Sequence, residues 1–263
     1  MVCISQDRFC LHVGIGDLIV CKSQMLQCGI PHIFVSPNRK IAEKYRSPKH
    51  WHFIFELMKA IYVEPVFTVT DDQSYPRVCW EFFKKRGVKP KRLDLSKQLC
   101  NGHGFNYKYV ALNTKVRGMK KEWFLKNVTE FRKALKSINY RLVLIGEREI
   151  GMNPEYKNIT IPPFSLYEFV QDLADVDLTV PELGITVPNI NDFRQKCSYL
   201  RDAHAVINVG HGGNVTISCA VNDQTINLFG ERGEVGSMWF ARSNKKNLVT
   251  YDIAEFKERL RCL

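Results

Sequence analysis

The sequence lacks the cysteine patterns of zinc sites and of disulfide frameworks. Its nine cysteines include no Cys-x-x-Cys pair and no cysteine and histidine set at zinc-finger spacing. An odd, scattered set in a chain of 263 residues is typical of reduced thiols, which pack as small apolar side chains. We therefore expect neither a structural zinc module nor a secreted disulfide scaffold.

Long apolar stretches are also missing. No run approaches the roughly 18 apolar residues of a membrane-spanning helix. The segment Met1–Arg8 lacks the basic start and apolar core of a signal peptide. The sequence therefore predicts a cytoplasmic protein without a transmembrane segment.

Acidic residues are scarce relative to basic ones. There are 27 Asp and Glu residues against 38 Lys and Arg residues, which gives a formal net charge of +11. Such an excess favours an anionic partner, and nucleic acid, a membrane surface and a phosphate-bearing small molecule all stay open at this point. A hydrophobic fraction of 45% and a charged fraction of 25% exclude a disordered chain and fit an ordinary globular protein.

Short β-branched or aromatic runs alternate with longer segments of helical period along the whole chain. Strand candidates include Tyr107–Leu112 and Arg141–Ile145, and Lys121–Ser137 is a helix candidate between them. This alternation predicts βαβ units, and therefore an α/β fold with parallel sheets that helices cover on both faces.

The polar, glycine-containing loop Asp94–Asn106 divides these elements into two groups, the first of which ends with a strand candidate at Lys91–Leu95. We interpret the loop as a boundary between two Rossmann-like, doubly wound parallel-sheet domains, at residues 1–104 and 105–263. A single continuous sheet remains the alternative.

Ligands of open α/β sheets bind beyond the carboxyl ends of the strands, so the loops that follow strands are the places to search. The first such loop contains Gly14, Gly16 and Asp17 at the start of a helix candidate. The glycines allow a tight turn and close approach of a phosphate or an acceptor to the backbone. Asp17 is either a helix cap or a general base at the mouth of the sheet.

Two later loops carry charged side chains. A hydroxyl and four cations, a composition suited to binding a diphosphate, follow the strand candidate Tyr107–Leu112: Thr114, Lys115, Arg117, Lys120 and Lys121. The alternative is a solvated basic loop. Glu147 follows the next strand, where it either accepts hydrogen bonds from a ribose or belongs to a charge cluster at a helix N-terminus.

The most informative loop follows the apolar strand candidate Ala205–Val209. Its residues Gly210-His211-Gly212-Gly213-Asn214 lead into a short helix of small side chains, which permits the backbone to cradle a phosphate. A purely structural glycine turn is the alternative, and a histidine such as His211 is more often a hydrogen-bonded loop residue than a catalyst. A further strand brings Gly230 and Glu231 to the same edge.

Taken in this order, the loops resemble the motifs of a glycosyltransferase family. Gly14–Asp17 resembles the amino-terminal Gly-Asp motif of the heptosyltransferase-like (ADP-heptose transferase) branch of the GT-B fold. Asn113–Trp123 resembles its Thr-containing loop that leads to Lys-x-Trp, and Ile145–Glu147 is similar to its Gly-(Glu/Asp) strand end. Ala203–Gly230 resembles its donor-binding segment, which ends in Leu-Phe-Gly. The resemblance extends over most of the chain and fits a compact bacterial or viral member.

The resemblance implies two domains that face a cleft, a short N-terminal acceptor-side domain and a C-terminal nucleotide-sugar donor domain. It implies that Asp17 is the catalytic base and that Gly14 and Gly16 belong to a phosphate or acceptor loop. Together with the loop composition, it implies a donor-binding set: Thr114, Lys115, Arg117, Lys120, Lys121, Glu147, His211, Gly212, Gly213, Asn214 and Glu231. His211 occupies the position of a family aspartate, so a heptose donor is not implied.

We therefore predict an inverting glycosyltransferase that moves a sugar from a nucleotide-diphosphate sugar to a hydroxyl of a glycan or other acceptor. No Asp-x-Asp motif follows a strand candidate, which predicts a reaction that needs neither a metal ion nor a cofactor. Two alternatives stay open. One is a nucleotide-sugar epimerase on the same fold, which His211 and Glu231 favour. The other is a basic α/β protein that binds nucleic acid, although the cations form no single module.

Overall fold

The computed structural model describes residues 15–29, 33–35, 53, 56–57, 59–61, 67–69, 83, 86–150, 161–181, 190–230 and 235–263. For Asp17 and for strands β1 and β2, only the backbone is described. The strands are β1 (Ile33–Val35), β2 (Phe67–Val69), β3 (Tyr109–Asn113), β4 (Lys115–Val116), β5 (Arg141–Glu147), β6 (Phe164–Ser165), β7 (Val176–Val180), β8 (Ala205–Val209), β9 (Thr225–Leu228) and β10 (Leu248–Thr250).

The helices are α1 (Ile15–Cys28), α2 (Ser96–Leu99), α3 (Lys121–Lys136), α4 (Tyr167–Val170), α5 (Ile190–Asp202), α6 (Gly213–Val221), α7 (Gly236–Arg242) and α8 (Ile253–Arg261). A 3-10 turn at Gln171–Leu173 follows α4. Within the described ranges, no helix combines the length and apolarity that crossing a bilayer requires.

The central sheet of the described chain has six parallel strands in the spatial order β10-β9-β8-β3-β5-β7. Numbered along the chain, this is the 3-2-1-4-5-6 order of a doubly wound Rossmann-like fold. β3 lies beside β8, with Ala111 opposite Val206. Winding reverses between these two strands, so their carboxyl ends form the switch point of the sheet. The prediction of a doubly wound α/β sheet is confirmed for this part of the chain, and β1 and β2 form a separate parallel pair.

The central strands are apolar because helices cover both faces of the sheet. Every residue of β3, β8 and β9 is buried. Alternate side chains point to opposite faces, so Tyr109 and Ala111 belong to one core while Val110 and Leu112 belong to the other. α1, α5, α6 and α7 contribute to the first core, and α3 and α8 contribute to the second.

Helix α1 packs into the core of the six-stranded sheet, although it comes from the N-terminal part of the chain. Leu18, Ile19 and Cys21 are fully buried there, in the same cluster as Val206 and Ala220. The start of α1 is therefore held close to the carboxyl edge of the sheet. The division into two domains at residue 104 stays a prediction.

The predicted strand Lys91–Leu95 is wrong, because these residues run irregularly across α1 and α6. The N–H of Lys91 donates to Ser23 Oγ at 2.7 Å. The N–H of Leu95 donates to the carbonyl oxygen of Ala220 at 2.8 Å. A backbone whose hydrogen bonds are satisfied by helix residues does not need a neighbouring strand.

Residues 94–106, which we call the strap, contain α2 and are fixed to α5 by hydrogen bonds. The N–H groups of Asn101 and Gly102 both donate to Ser198 Oγ at 3.2 Å. The N–H of Gly104 donates to the carboxylate of Asp202 at 2.6 Å. The strap therefore holds the chain that leads into β3 against the helix that leads into β8.

Removing the buried hydroxyl of Ser198 should destabilise the fold through the strap. Ser198→Ala leaves the N–H groups of Asn101 and Gly102 without their acceptor, which costs about 1–3 kcal/mol of unfolding free energy. Urea denaturation measures this loss. The control is Ser137→Ala at the exposed end of α3, which should change stability by less than about 0.5 kcal/mol. Equal effects of the two substitutions would contradict a stabilising strap.

Candidate functional site at the switch point

The switch point brings together two loops that lie far apart in the sequence. The loop after β3 and the glycine loop after β8 join through an isolated parallel bridge between Arg117 and Gly210. The N–H of His211 donates to the carbonyl oxygen of Arg117 at 2.7 Å. The predicted diphosphate loop and the predicted glycine cradle therefore lie against each other, since the carboxyl ends of β3 and β8 are neighbours.

Glycines make this close approach possible. Gly210 has a φ of 78°, and a Cβ there would lie 2.2 Å from the carbonyl oxygen of Arg117. Gly118 has a φ of 69°, and a Cβ there would lie 1.8 Å from Nε2 of His211. Packing within the protein therefore accounts for both glycines, in line with the structural reading of the turn.

The imidazole of His211 is half-buried beside Gly118 and Arg117. Burial lowers the pKa of His211 below its ordinary value, and the guanidinium of Arg117 lowers it further. The ring is therefore neutral near pH 7, with one nitrogen that donates and one that accepts a hydrogen bond.

Helix α6 begins in the glycine loop and presents its N-terminus at the switch point. Gly212 precedes the helix with a φ of 112°, no side chain caps it, and the first turn contains no acidic residue. The half-buried Asn214 is the second residue of the helix. The first N–H groups of a helix lack partners within the helix and carry partial positive charge, so this end suits an anion. Arg117 lies beside it, with Cδ 3.6 Å from the position of a Gly212 Cβ.

The first described turn of α1 lies directly against the first turn of α6. A Cβ on Gly16 would lie 2.8 Å from the Cα of Gly213, so only glycine fits at this contact. Asp17 follows Gly16 along α1, which puts its backbone next to the glycine loop. The side chain of Asp17 lies outside the described residues, as do Gly14 and Glu231.

Glu147 is buried at the end of β5 and pairs with Lys115, whose Nζ lies 2.8 Å from Oε1. The pair follows from the strand register, because Asn113 lies opposite Ile145 and each partner comes two residues later. The carboxylate that the sequence assigns to a ribose is thus already held by a cation of the diphosphate loop.

A second lysine near this carboxylate was not predicted from the sequence. Burial lowers the pKa of Lys196 in α5, while the negative charges of Asp192 and Glu147 act in the opposite direction. No spacing pattern relates α5 to the end of β5, so only the packing of the helix on the sheet brings Lys196 to this place.

Thr114 holds its loop to the neighbouring strand. The side chain is fully buried, and its hydroxyl donates to the carbonyl oxygen of Glu147 at 2.8 Å. Its single proton is therefore used within the protein. Lys120 is exposed, and Lys121 forms an exposed ion pair with Glu168 at 3.0 Å.

The strands that end here also contain a row of buried amides that was not predicted from the sequence. Asn113, Asn208 and Asn227 lie in β3, β8 and β9, and each is at most 4% exposed. The available signal was a polar residue inside an otherwise apolar strand, because a buried amide requires hydrogen-bond partners.

Comparisons with known proteins give only distant structural likenesses. No protein-family model matches the sequence, and no curated protein matches it. The chain is similar in structure to the bacterial iron-containing dodecameric glycosyltransferase TibC from enterotoxigenic E. coli H10407, at 13% identity and a TM-score of 0.47. That match covers 93% of this chain and 62% of TibC, so the chain spans less than two thirds of TibC.

The chain is also similar to the ADP-heptose LPS heptosyltransferase II of E. coli, at 11% identity and a TM-score of 0.46. This match covers 98% of each chain. At these identities and TM-scores, the likenesses assign neither a substrate nor a residue role.

The contact between Gly118 and the ring of His211 predicts a non-additive pair of substitutions. Gly118→Ala adds a methyl group that overlaps the imidazole and gives alanine a positive φ, so we expect a loss of about 2–4 kcal/mol in unfolding free energy. In the double variant with His211→Ala the overlap is gone, and backbone strain of about 1–2 kcal/mol remains. Denaturant unfolding of both single variants and the double variant measures this. Additive losses would contradict the contact.

Proposed function

We propose that this chain is a glycosyltransferase that moves a sugar from a nucleotide-diphosphate sugar to a hydroxyl group of a glycan or similar acceptor. The observation that carries the proposal is the contact between Gly16 of α1 and Gly213 of α6 at the switch point. Direct displacement at a sugar carbon needs a base and a leaving group at opposite sides of one ring. A short separation between the segment of Asp17 and the glycine loop supports such an arrangement.

Positive charge near the glycine loop supports a diphosphate as the leaving group. Arg117 lies beside the N-terminus of α6, and no described carboxylate pairs with it. Lys115 and Lys196 lie around Glu147 at the adjoining strand end. Fixed positive groups stabilise the negative charge that develops on a departing diphosphate, and they do so without reorganisation during the reaction.

The proposed reaction is a single displacement. The oxygen of the acceptor hydroxyl attacks the anomeric carbon from the face opposite the diphosphate. The bond between the anomeric carbon and the diphosphate oxygen breaks, and its electron pair leaves with the diphosphate. Asp17 takes the proton of the attacking hydroxyl as a general base. Because one displacement inverts the configuration, the product has the opposite anomeric form to the donor.

Asp17→Asn tests the base. The amide keeps the shape of the side chain but cannot take the proton, so turnover should fall by roughly 10²–10⁴ while donor affinity changes little. Release of nucleoside diphosphate from UDP, GDP and ADP sugars with a glycan panel measures turnover, and calorimetry measures affinity. Asp223→Asn is the control, because this exposed carboxylate pairs with Arg92 away from the switch point.

Each contrary result of this experiment has its own meaning. A collapse of donor affinity in Asp17→Asn would make Asp17 structural. Conversion of the donor sugar to an epimer without any acceptor would favour an epimerase. A wild-type protein that binds no nucleotide sugar would overturn the proposed function.

We further propose that transfer needs no metal ion, because cationic side chains and the N-terminus of α6 supply the positive charge. The Asp-x-Asp pair of the chain supports this, since both members serve the fold at the start of β7. Asp175 accepts the N–H of Leu142 at 2.7 Å, and Asp177 accepts from Arg148 at 3.0 Å. Activity should be unchanged in excess EDTA. A loss that added Mg²⁺ or Mn²⁺ restores would contradict this.

A further inference from the structure

Three buried asparagines form a hydrogen-bonded row across the sheet, and we call this row the asparagine ladder. Asn208 lies opposite Asn227 in the register of β8 and β9, and Asn113 lies on the other side of Asn208. Nδ2 of Asn113 donates to Oδ1 of Asn208. Nδ2 of Asn208 donates to Oδ1 of Asn227 at 2.9 Å.

The far end of the ladder determines which way every amide faces. Nδ2 of Asn227 lies 2.9 Å from the carbonyl oxygen of Leu248, and a backbone carbonyl only accepts hydrogen bonds. Asn227 therefore turns its nitrogen to Leu248 and its oxygen to Asn208. The same requirement passes along the row, so Asn208 turns its oxygen to Asn113, and Asn113 turns its nitrogen to Asn208. The carbonyl of Leu248 therefore fixes the oxygen and nitrogen positions, which shape alone leaves ambiguous.

Ser218 of α6 fits this direction. Its Oγ accepts from Nδ2 of Asn113 at 3.0 Å and donates to Oδ1 of Asn208 at 3.2 Å. The amide hydrogens of Asn113 are thus used within the protein. Its Oδ1 receives no hydrogen bond from the described residues. This atom is also not completely shielded from solvent. This oxygen is therefore the open acceptor of the ladder, at the carboxyl end of β3.

An open carbonyl oxygen selects a hydrogen-bond donor. A fully ionised diphosphate has only acceptor oxygens, which an amide oxygen would repel. A hydroxyl group donates to the same oxygen and forms a neutral hydrogen bond. In a nucleotide sugar, hydroxyl groups lie on both sides of the diphosphate, on the ribose and on the transferred sugar.

We propose that Asn113 is a specificity residue whose Oδ1 accepts a hydrogen bond from a hydroxyl group of the nucleotide sugar close to the diphosphate. Asn208 and Asn227 are positioning residues, since they hold the amide of Asn113 with its oxygen outward. This inference rests on the proposed function and deepens it, because it states how the site distinguishes a hydroxyl from a hydrogen at that place.

Asn113→Leu tests the specificity residue, because leucine has the same branched arrangement of four side-chain heavy atoms and no amide. Oδ1 of Asn208 still accepts from Ser218 in this variant, so no buried acceptor is left unpaired. Calorimetry compares a nucleoside diphosphate with its 2′-deoxy and 3′-deoxy forms, and a nucleotide sugar with analogues whose sugar lacks one hydroxyl. The wild type should prefer one hydroxyl ligand by about fivefold, the size of one neutral hydrogen bond. In Asn113→Leu, the ratio of the affinities for the hydroxyl ligand and its deoxy form should fall to about one.

The two sets of ligands identify the source of the hydroxyl. A preference that disappears in the nucleoside diphosphate series assigns Asn113 to the ribose, and one that disappears only in the sugar series assigns it to the transferred sugar. Either result supports the proposal. An unchanged preference, or an equal loss of affinity for hydroxyl ligands, deoxy ligands and inorganic pyrophosphate, overturns it while the transferase function stands. Absence of binding by any of these ligands to the wild type overturns the proposed function itself.

Asn227→Leu tests the positioning role without changing Asn113. The ladder then loses its fixed end. The ratio of the affinities for the hydroxyl ligand and its deoxy form should therefore fall towards one, while the affinity for pyrophosphate is kept. Asn222→Leu is the matched control, because Asn222 is a buried amide that donates to Leu200, Arg201 and Ala203 outside the ladder. This control should lower stability and keep the preference. If both variants keep it, the positioning role is wrong. If Asn227→Leu does not fold, the result with Asn113→Leu decides the proposal.

Discussion

The carboxyl ends of β3 and β8 lie side by side, and the backbones that leave them must share one small space at the switch point. Glycine makes this possible at each contact. Gly210 accommodates the carbonyl of Arg117, Gly118 accommodates the ring of His211, and Gly16 accommodates the backbone of Gly213. The start of α6, the orientation of His211 and the position of α1 all depend on these contacts. A side chain at any of them would push apart segments that the proposed chemistry needs close together.

The cations near the switch point differ in burial from exposed cations elsewhere in the chain. Elsewhere, cations form exposed pairs with acids, such as Arg261 with Glu258 at 3.3 Å, and such pairs contribute little to stability. Lys115 and Lys196 are partly buried around Glu147, where a lower local dielectric strengthens their interaction with an anion. The position of a few cations therefore says more about the partner than the net charge does.

Much of the sheet could be predicted because each central strand is marked in the sequence by a short, mainly apolar run. The predicted strand Ala205–Val209 is confirmed at its exact bounds as β8, and the predicted helix Lys121–Ser137 is confirmed as α3 to within one residue. The edge strand β7 was missed, since Val176-Asp-Leu-Thr-Val180 alternates apolar and polar residues over one short run. The strand predicted at Lys91–Leu95 failed for the opposite reason, because its backbone found partners in helices. Local pattern reports burial, and it does not report which element supplies the hydrogen bonds.

The α/β class, the strand ends that carry glycine and charge, and the presence of a basic loop and a glycine loop could be predicted from the sequence alone. These features are local, since they follow from periodicity and from residue types within a few positions. Packing between distant segments brings Gly16 against Gly213, places Lys196 near Glu147 and gives Thr114 its role in the fold. It also decided the direction of the asparagine ladder, because that direction depends on a carbonyl of β10 that is remote in the chain from Asn113. Contacts between distant residues select among the roles that each side chain could have taken.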